Sequence, residues 1–102
     1  MGFRLAKTRQ FHRRVTVHDQ SFGATFNALS DEELQQFQTN TKEGQCALLR
    51  AAVHDLDEIE DEDGKPLPYT EALLEKSLGY SDVRNALLRE YSLGIAGARA
   101  GN

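Results

Sequence analysis

Two stretches of strictly alternating side chains stand at the front of this chain, and every later apolar pattern repeats with a helical period. That single change of period, from two to about 3.6, restricts the fold more than anything else in the sequence. In the first stretch Phe11, Val15 and Val17 share one face, while His12, Arg14, Thr16 and His18 share the other. In the second, Phe22, Ala24, Phe26 and Ala28 oppose Gly23, Thr25 and Asn27. A turn centred on Asp19-Gln20 pairs His18 with Ser21, Val17 with Phe22, Val15 with Ala24 and Phe11 with Ala28. A four-residue loop with the same register, or a bulge at Gly23, is equally acceptable, because neither Asp nor Gln favours a two-residue turn. In that register both apolar sets fall on one side. A lone hairpin is marginal in water, so the apolar face must be covered by helices.

Start signals place those helices. Ser30-Asp31-Glu32-Glu33 is a capping box, in which the Ser hydroxyl accepts from the third helical N–H and Glu33 reaches back. The helix it opens, about 31–38, turns Leu34 and Phe37 inward. Cys46, Leu49, Val53 and Leu56 recur at steps of three, four and three, which predicts a helix over about 42–57. Gly44 weakens its first turn by about 1 kcal/mol relative to Ala. Asp63-Gly64 and the prolines at 66 and 68 forbid a helix between Glu60 and Tyr69. Thr70 caps the next helix, about 70–78, with Gly79 as a left-handed stop. Ser81 caps the last, about 82–96, whose stripe is Val83, Leu87, Leu88, Tyr91 and Ile95. The expected fold class is therefore α+β and mostly helical: an N-terminal antiparallel hairpin over 11–28 packed on about four short helices. Phe11, Val15, Val17, Phe22 and Phe26 should pack on Leu49, Val53, Leu87 and Tyr91.

At 102 residues the chain has the length of one domain. It divides into a basic arm over 1–10, a globular part over 11–96 and a flexible tail over 97–102. No apolar run approaches the ~18–20 residues of a membrane-spanning helix, so no membrane partner is expected. No apolar core follows the basic N-terminus, so no secretory signal is expected either. The single cysteine, Cys46, makes no internal disulfide, in keeping with a reducing cytoplasm.

Charge is unevenly spread. Residues 1–18 carry five bases and no acid, residues 19–76 carry fourteen acids against four bases, and the net charge of the whole is −4. Seven of the nine residues from Asp55 to Asp63 are acidic, a block that repels itself and stays solvated. A basic arm can serve nucleic acid, but the acidic bulk makes nucleic acid an unlikely partner for the domain as a whole.

No constellation points to an enzyme or a cofactor. Reading the acidic loop as an EF-hand, with Gly64 at position six, places Asp61 and Asp63 at positions three and five. It also leaves Ile59 at position one and Thr70 at position twelve, where carboxylates are required. His12 and His18 stand about 20 Å apart along an extended strand, too far to share a metal. Cys46 lies on an apolar stripe and reads as a small buried hydrophobe. The glycines at 94 and 97 belong to no phosphate-binding loop, for no Lys-Ser/Thr pair follows.

One resemblance adds to this reading. Residues 49–102 resemble the tail assembly chaperones of long-tailed (siphovirus-type) bacteriophages and prophages. The matching text is Leu-Leu-Arg-Ala-Ala-Val at 48–53, Asp-Glu-Asp-Gly-Lys-Pro-Leu-Pro-Tyr-Thr at 61–70 and Asn-Ala-Leu-Leu-Arg-Glu-Tyr at 85–91, ending in Gly-Ala-Arg-Ala-Gly-Asn. The middle block is the most specific. It joins an acidic Asp-Gly turn, a Pro-x-Pro-aromatic and a Thr cap directly before a leucine helix. The N-terminal half matches more loosely, in its Val-Thr-Val strand and its Ser-x-x-Glu helix start. The resemblance implies a non-enzymatic assembly factor of the host cytoplasm, absent from the mature virion. Such a factor transiently holds the tape measure protein, a long helical rod, brings tail tube subunits to it, and can form homo-oligomers. Apolar positions on the last helix, Leu88, Tyr91, Leu93 and Ile95, are the expected contacts, with the glycines at 94 and 97 letting that end reshape around a partner. Two alternatives remain open at this point: a structural or head–tail joining protein retained in the virion, and a small nucleic-acid-binding regulator using the basic arm.

Overall fold

The computed structural model describes residues 2, 3, 5 and 9–97. Seven elements follow one another: β1 (Gln10–Val17), β2 (Gln20–Asn27), α1 (Asp31–Leu34), α2 (Lys42–Ala52), β3 (Val53–Asp57), α3 (Glu71–Leu78) and α4 (Ser81–Ile95). The three strands form one antiparallel sheet in the order β1-β2-β3. The fold is thus α+β, with an N-terminal hairpin and four helices, as the change of period predicts. Fully or nearly fully buried Val15, Ala24, Phe26, Val53 and Leu56 of the sheet meet Leu49 of α2, Leu74 and Leu78 of α3 and Leu87 and Tyr91 of α4. The opposite face of the sheet carries His12, Arg14, Thr25 and Asp57.

The hairpin register differs from expectation by two residues. Val17 pairs with Gln20, Val15 with Phe22 and Phe11 with Phe26, so the two-residue turn is His18-Asp19. A slip of two leaves every side chain on its own face, and alternation therefore cannot choose between the registers. The turn chooses, because His18 takes a left-handed φ of 58°. Its ring Nε2 lies 3.1 Å from Asp82 Oδ2, which ties the hairpin tip to the first turn of α4.

The expected helix over 42–57 is two elements. The helix ends at Ala52, and Val53–Asp57 turns into the third strand. Phe26 pairs with Val53 and Thr25 with Asp55, so His54 is an extra residue in a β-bulge. The bulge rotates the strand by one position, which puts Val53 and Leu56 on the same buried face. Their spacing of three imitates a helical step. The strand covers the edge that β2 would otherwise leave open.

Smaller differences lie at the helix ends. The first helix, expected over 31–38, is a single turn, although its capping box forms, with Ser30 Oγ accepting from Glu33 N at 3.2 Å and Glu33 Oε1 from Ser30 N at 2.8 Å. Gly79 is right-handed, with φ −72°, because α4 starts two residues later and the chain has no room for a left-handed exit. The α4 cap is Tyr80, without a side-chain bond, and Ser81 is already helical. Thr70 and Thr41 cap as their positions suggest, accepting from Leu73 N at 3.1 Å and Gly44 N at 3.0 Å. The acidic loop is an ordered turn in which Asp61 Oδ1 accepts from Asp63 N and Lys65 N at 2.8 and 2.9 Å and Gly64 has a φ of 81°. The expected tail over 97–102 lies outside the described residues from 98 onward, as do positions 1, 4 and 6–8 of the arm.

An exposed pair joins α2 to α3. Arg50 Nε and NH2 donate to the two carboxylate oxygens of Glu75 at 2.6 and 2.9 Å. That hydrogen bonding holds the Glu75 carboxyl below its usual value. A depressed carboxyl contributes stability above the unfolded-state pKa and loses it as pH falls through the folded one. The expected result in Arg50→Ala is a Glu75 titration that moves up toward the ordinary carboxylate range. Side-chain carboxyl NMR shifts read it directly. An unmoved midpoint would show that the pair does not persist in solution.

Candidate functional site

The candidate surface lies at the C-terminal end of α4, and four contacts hold that end in place. Arg13 projects from the covered side of β1 and its Nε donates to Glu90 Oε1 at 3.0 Å. Arg89 NH2 donates to the Thr16 carbonyl at 3.3 Å. Tyr91 packs edge-on against Phe26, with centroids 5.3 Å apart, and against Phe11 at 5.7 Å. Its hydroxyl accepts from Leu29 N at 3.0 Å, which fixes the chain just before the Ser30 cap. Burial pushes the Tyr91 phenol pKa up, against a smaller downward pull from the Leu29 N–H. Gly94 is a contact point too. A Cβ there would overlap the Phe11 ring, so this glycine serves close packing of helix on strand rather than a loosened helix end.

Between α1 and this end of α4 runs an apolar groove of about 340 Å³. Leu34, Phe37, Leu48, Tyr91 and Ile95 form its walls and floor, with Thr39, Ser92 and Ala96 at the edges. Leu48 is 5% exposed but stands apart from the main core cluster, beneath the groove.

The four residues expected from the sequence separate. Tyr91 and Ile95 come together in the groove. Tyr91 is only 3% exposed, so it is a core residue presenting one flank to the floor and not the exposed contact that its helical position suggested. Ile95 is the exposed wall, at 37%. Leu88 is partly buried and packs on the core, outside the groove lining. Leu93 is exposed but lies two residues before Ile95, about 160° round the helix, and faces elsewhere. Sequence reading missed Leu48, whose place on α2 is off the Cys46-Leu49 stripe. It found Leu34 and Phe37 as apolar but set them in a longer helix.

The other end of α4 borders a wider depression of about 1200 Å³, formed by the hairpin tip, the Glu58–Pro66 segment and the first turn of α4. The Arg and His side chains of the hairpin adjoining it face carboxylates. His12 meets Asp57, Arg13 meets Glu90, Arg14 meets Glu58 and His18 meets Asp82. A phosphate backbone would have to compete with four carboxylates for those side chains. No three His, Cys, Asp or Glu residues converge on a common point among the described residues. Cys46 is buried and free.

Comparison of the chain with protein-family models, with curated proteins and with solved structures finds no match in any of the three.

Proposed function

We propose that this protein is a phage tail assembly chaperone. It acts without catalysis, binding a helical segment of the tape measure protein transiently and bringing tail tube subunits to it in the host cytoplasm, and it leaves before the virion is complete. The observation that carries the reading is the apolar groove beside Ile95, taken with the resemblance over residues 49–102. A helix laid into an apolar groove is a recurring way to bind such a rod, read as anchors at helical spacing. The groove is small and lined partly by buried residues, which suits weak and reversible capture of an apolar stripe. The net charge of −4 favours solubility of the loaded complex.

Co-expression tests it. Tape measure protein expressed with this chain should stay soluble and co-purify, and Ile95→Asp or Phe37→Asp should lose that protection while melting like the parent. Leu93→Asp, on another side of α4, should keep it. Failure of the parent chain to protect or co-purify overturns the assignment, as does its presence in purified virions. Protection retained by both groove variants moves the contact elsewhere.

A further inference from the structure

The sheet has two outer edges, and the chain treats them differently. β3 is short, carries the bulge at His54 and bears Asp55 and Asp57, all of which blunt a strand edge. β1 has eight residues and pairs with β2 without a break in register. The Arg9 carbonyl accepts from Ala28 N at 2.7 Å, in step with that register. The backbone of Phe11, Arg13, Val15 and Val17 therefore bonds to β2, and the N–H and C=O groups of Gln10, His12, Arg14 and Thr16 point outward. The Thr16 carbonyl takes a bond from Arg89 NH2. The outward groups of Gln10, His12 and Arg14 have no partner among the described residues.

The last helix borders this open edge. It runs antiparallel to β1, with Gly94 at Phe11, Glu90 at Arg13 and Asp82 at His18. Arg89 lies on the edge side of α4, because it reaches a carbonyl that points outward. Leu93, four residues on, shares that side. It is 39% exposed, an apolar side chain that the fold leaves uncovered. The two positions are one helical turn apart, about 6 Å. Alternate side chains of an extended strand are about 6.8 Å apart, so a strand laid on this edge matches both. The charged side chains of β1 do not obstruct it, since His12, Arg13 and Arg14 are held by Asp57, Glu90 and Glu58. Arg89 has N–H groups to spare, for its Nε lies 3.8 Å from Glu90 Oε2, beyond a hydrogen bond.

We infer that the β1 edge receives an extended segment of a partner protein as a fourth strand, antiparallel to β1. The backbone groups of Gln10, His12 and Arg14 supply the ladder, and the inner side chains of the segment meet α4. An acid among them faces Arg89, and an apolar side chain two residues later covers Leu93. The order is acid first, because Arg89 lies toward the Thr16 end, where an antiparallel strand enters. The partner chemistry is thus an extended acid-x-apolar segment, different from the apolar helix that the groove beside Ile95 accepts. This step goes beyond the chaperone assignment and does not depend on it.

A synthetic probe tests the inference: the end-capped peptide Thr-Thr-Asp-Thr-Leu-Thr-Thr, titrated into the full chain and followed by backbone amide NMR. The His12 and Arg14 amide protons should move downfield to saturation, with a Kd of about 0.1–1 mM. Those of Arg13 and Val15, already bonded to β2, should move little. Arg89 and Leu93 are exposed, so Arg89→Glu and Leu93→Asp should each weaken binding about tenfold at unchanged melting. The decisive arm alters the peptide alone. Methylating the amide nitrogens of the threonines before and after Asp and after Leu, which face β1, should abolish binding. Methylating those of Asp and Leu, which face away, should leave it intact. Absence of saturable shifts at His12 and Arg14 overturns the inference, as do variants that bind like the parent or two methylated peptides that behave alike. A parent chain already dimeric through β1 overturns it as well, because a second copy then holds the edge.

Discussion

Phe26→Ala is expected to remove about 3–5 kcal/mol of folding stability. The ring is fully buried in the middle strand. It touches Phe11 at 5.4 Å and Tyr91 at 5.3 Å between centroids, and it pairs with Val53 at the bulge. Truncation therefore opens a cavity where hairpin, third strand and last helix meet, and none of the three can move in without losing its own register or cap. Small domains of this size hold ~5–15 kcal/mol in all. With roughly 4–8 °C lost per kcal/mol, the melting midpoint should fall by about 12 °C or more. Circular dichroism on heating measures it, and a fall under 5 °C would mean that the site collapses around the missing ring.

That cluster also shows how much of the fold the sequence made legible. Strict alternation on both sides of residue 19 defines two strands and their inner faces, because a pleated strand has no other way to bury Phe11, Val15, Phe22 and Phe26 together. The register was not legible, since it depends on His18 accepting a left-handed backbone that several side chains could adopt there. The third strand was hidden for a more specific reason. Val53 and Leu56 are three apart, and a bulge at His54 gives that spacing the same buried face that a helix would. Only the need to cover the β2 edge distinguishes the two, and that need is a tertiary fact.

The candidate site was legible in part for a similar reason. A helical stripe shows that Tyr91 and Ile95 lie on one side of α4, and the groove contains both. It cannot show that the Tyr91 hydroxyl is engaged by Leu29 N and the ring by two phenylalanines, which turns an apparent contact residue into a floor. Leu48 and Phe37 enter the site from elements brought there by the tight α1 turn, and spacing along α4 contains no trace of them. What α4 presents to a partner is thus set by its neighbours as much as by its own sequence.

Gly44 gives the clearest reversal between local propensity and packing. As a glycine in the first turn of α2 it costs the helix about 1 kcal/mol relative to Ala, so propensity alone makes Gly44→Ala stabilising. The structure changes the sign. A Cβ at position 44 would collide with the backbone oxygen and carbon of Gln38 and come within 2.9 Å of its nitrogen. Those atoms cannot rotate away as a side chain could. The Gln38 carbonyl also accepts from Thr41 N at 3.2 Å and from Thr41 Oγ1 at 3.0 Å, and the same Thr41 oxygen caps α2 by accepting from Gly44 N. Displacing the carbonyl disturbs the cap as well as the approach. Overpacking of this kind costs about 1–3 kcal/mol and a lost Thr cap about 1 more, against the propensity gain of about 1. Gly44→Ala should therefore destabilise by about 1–3 kcal/mol in a urea titration, through a lower midpoint at an unchanged slope. A higher midpoint would mean that Gln38 swings clear of α2 at little cost, and that the 38–41 turn is looser than its three hydrogen bonds imply.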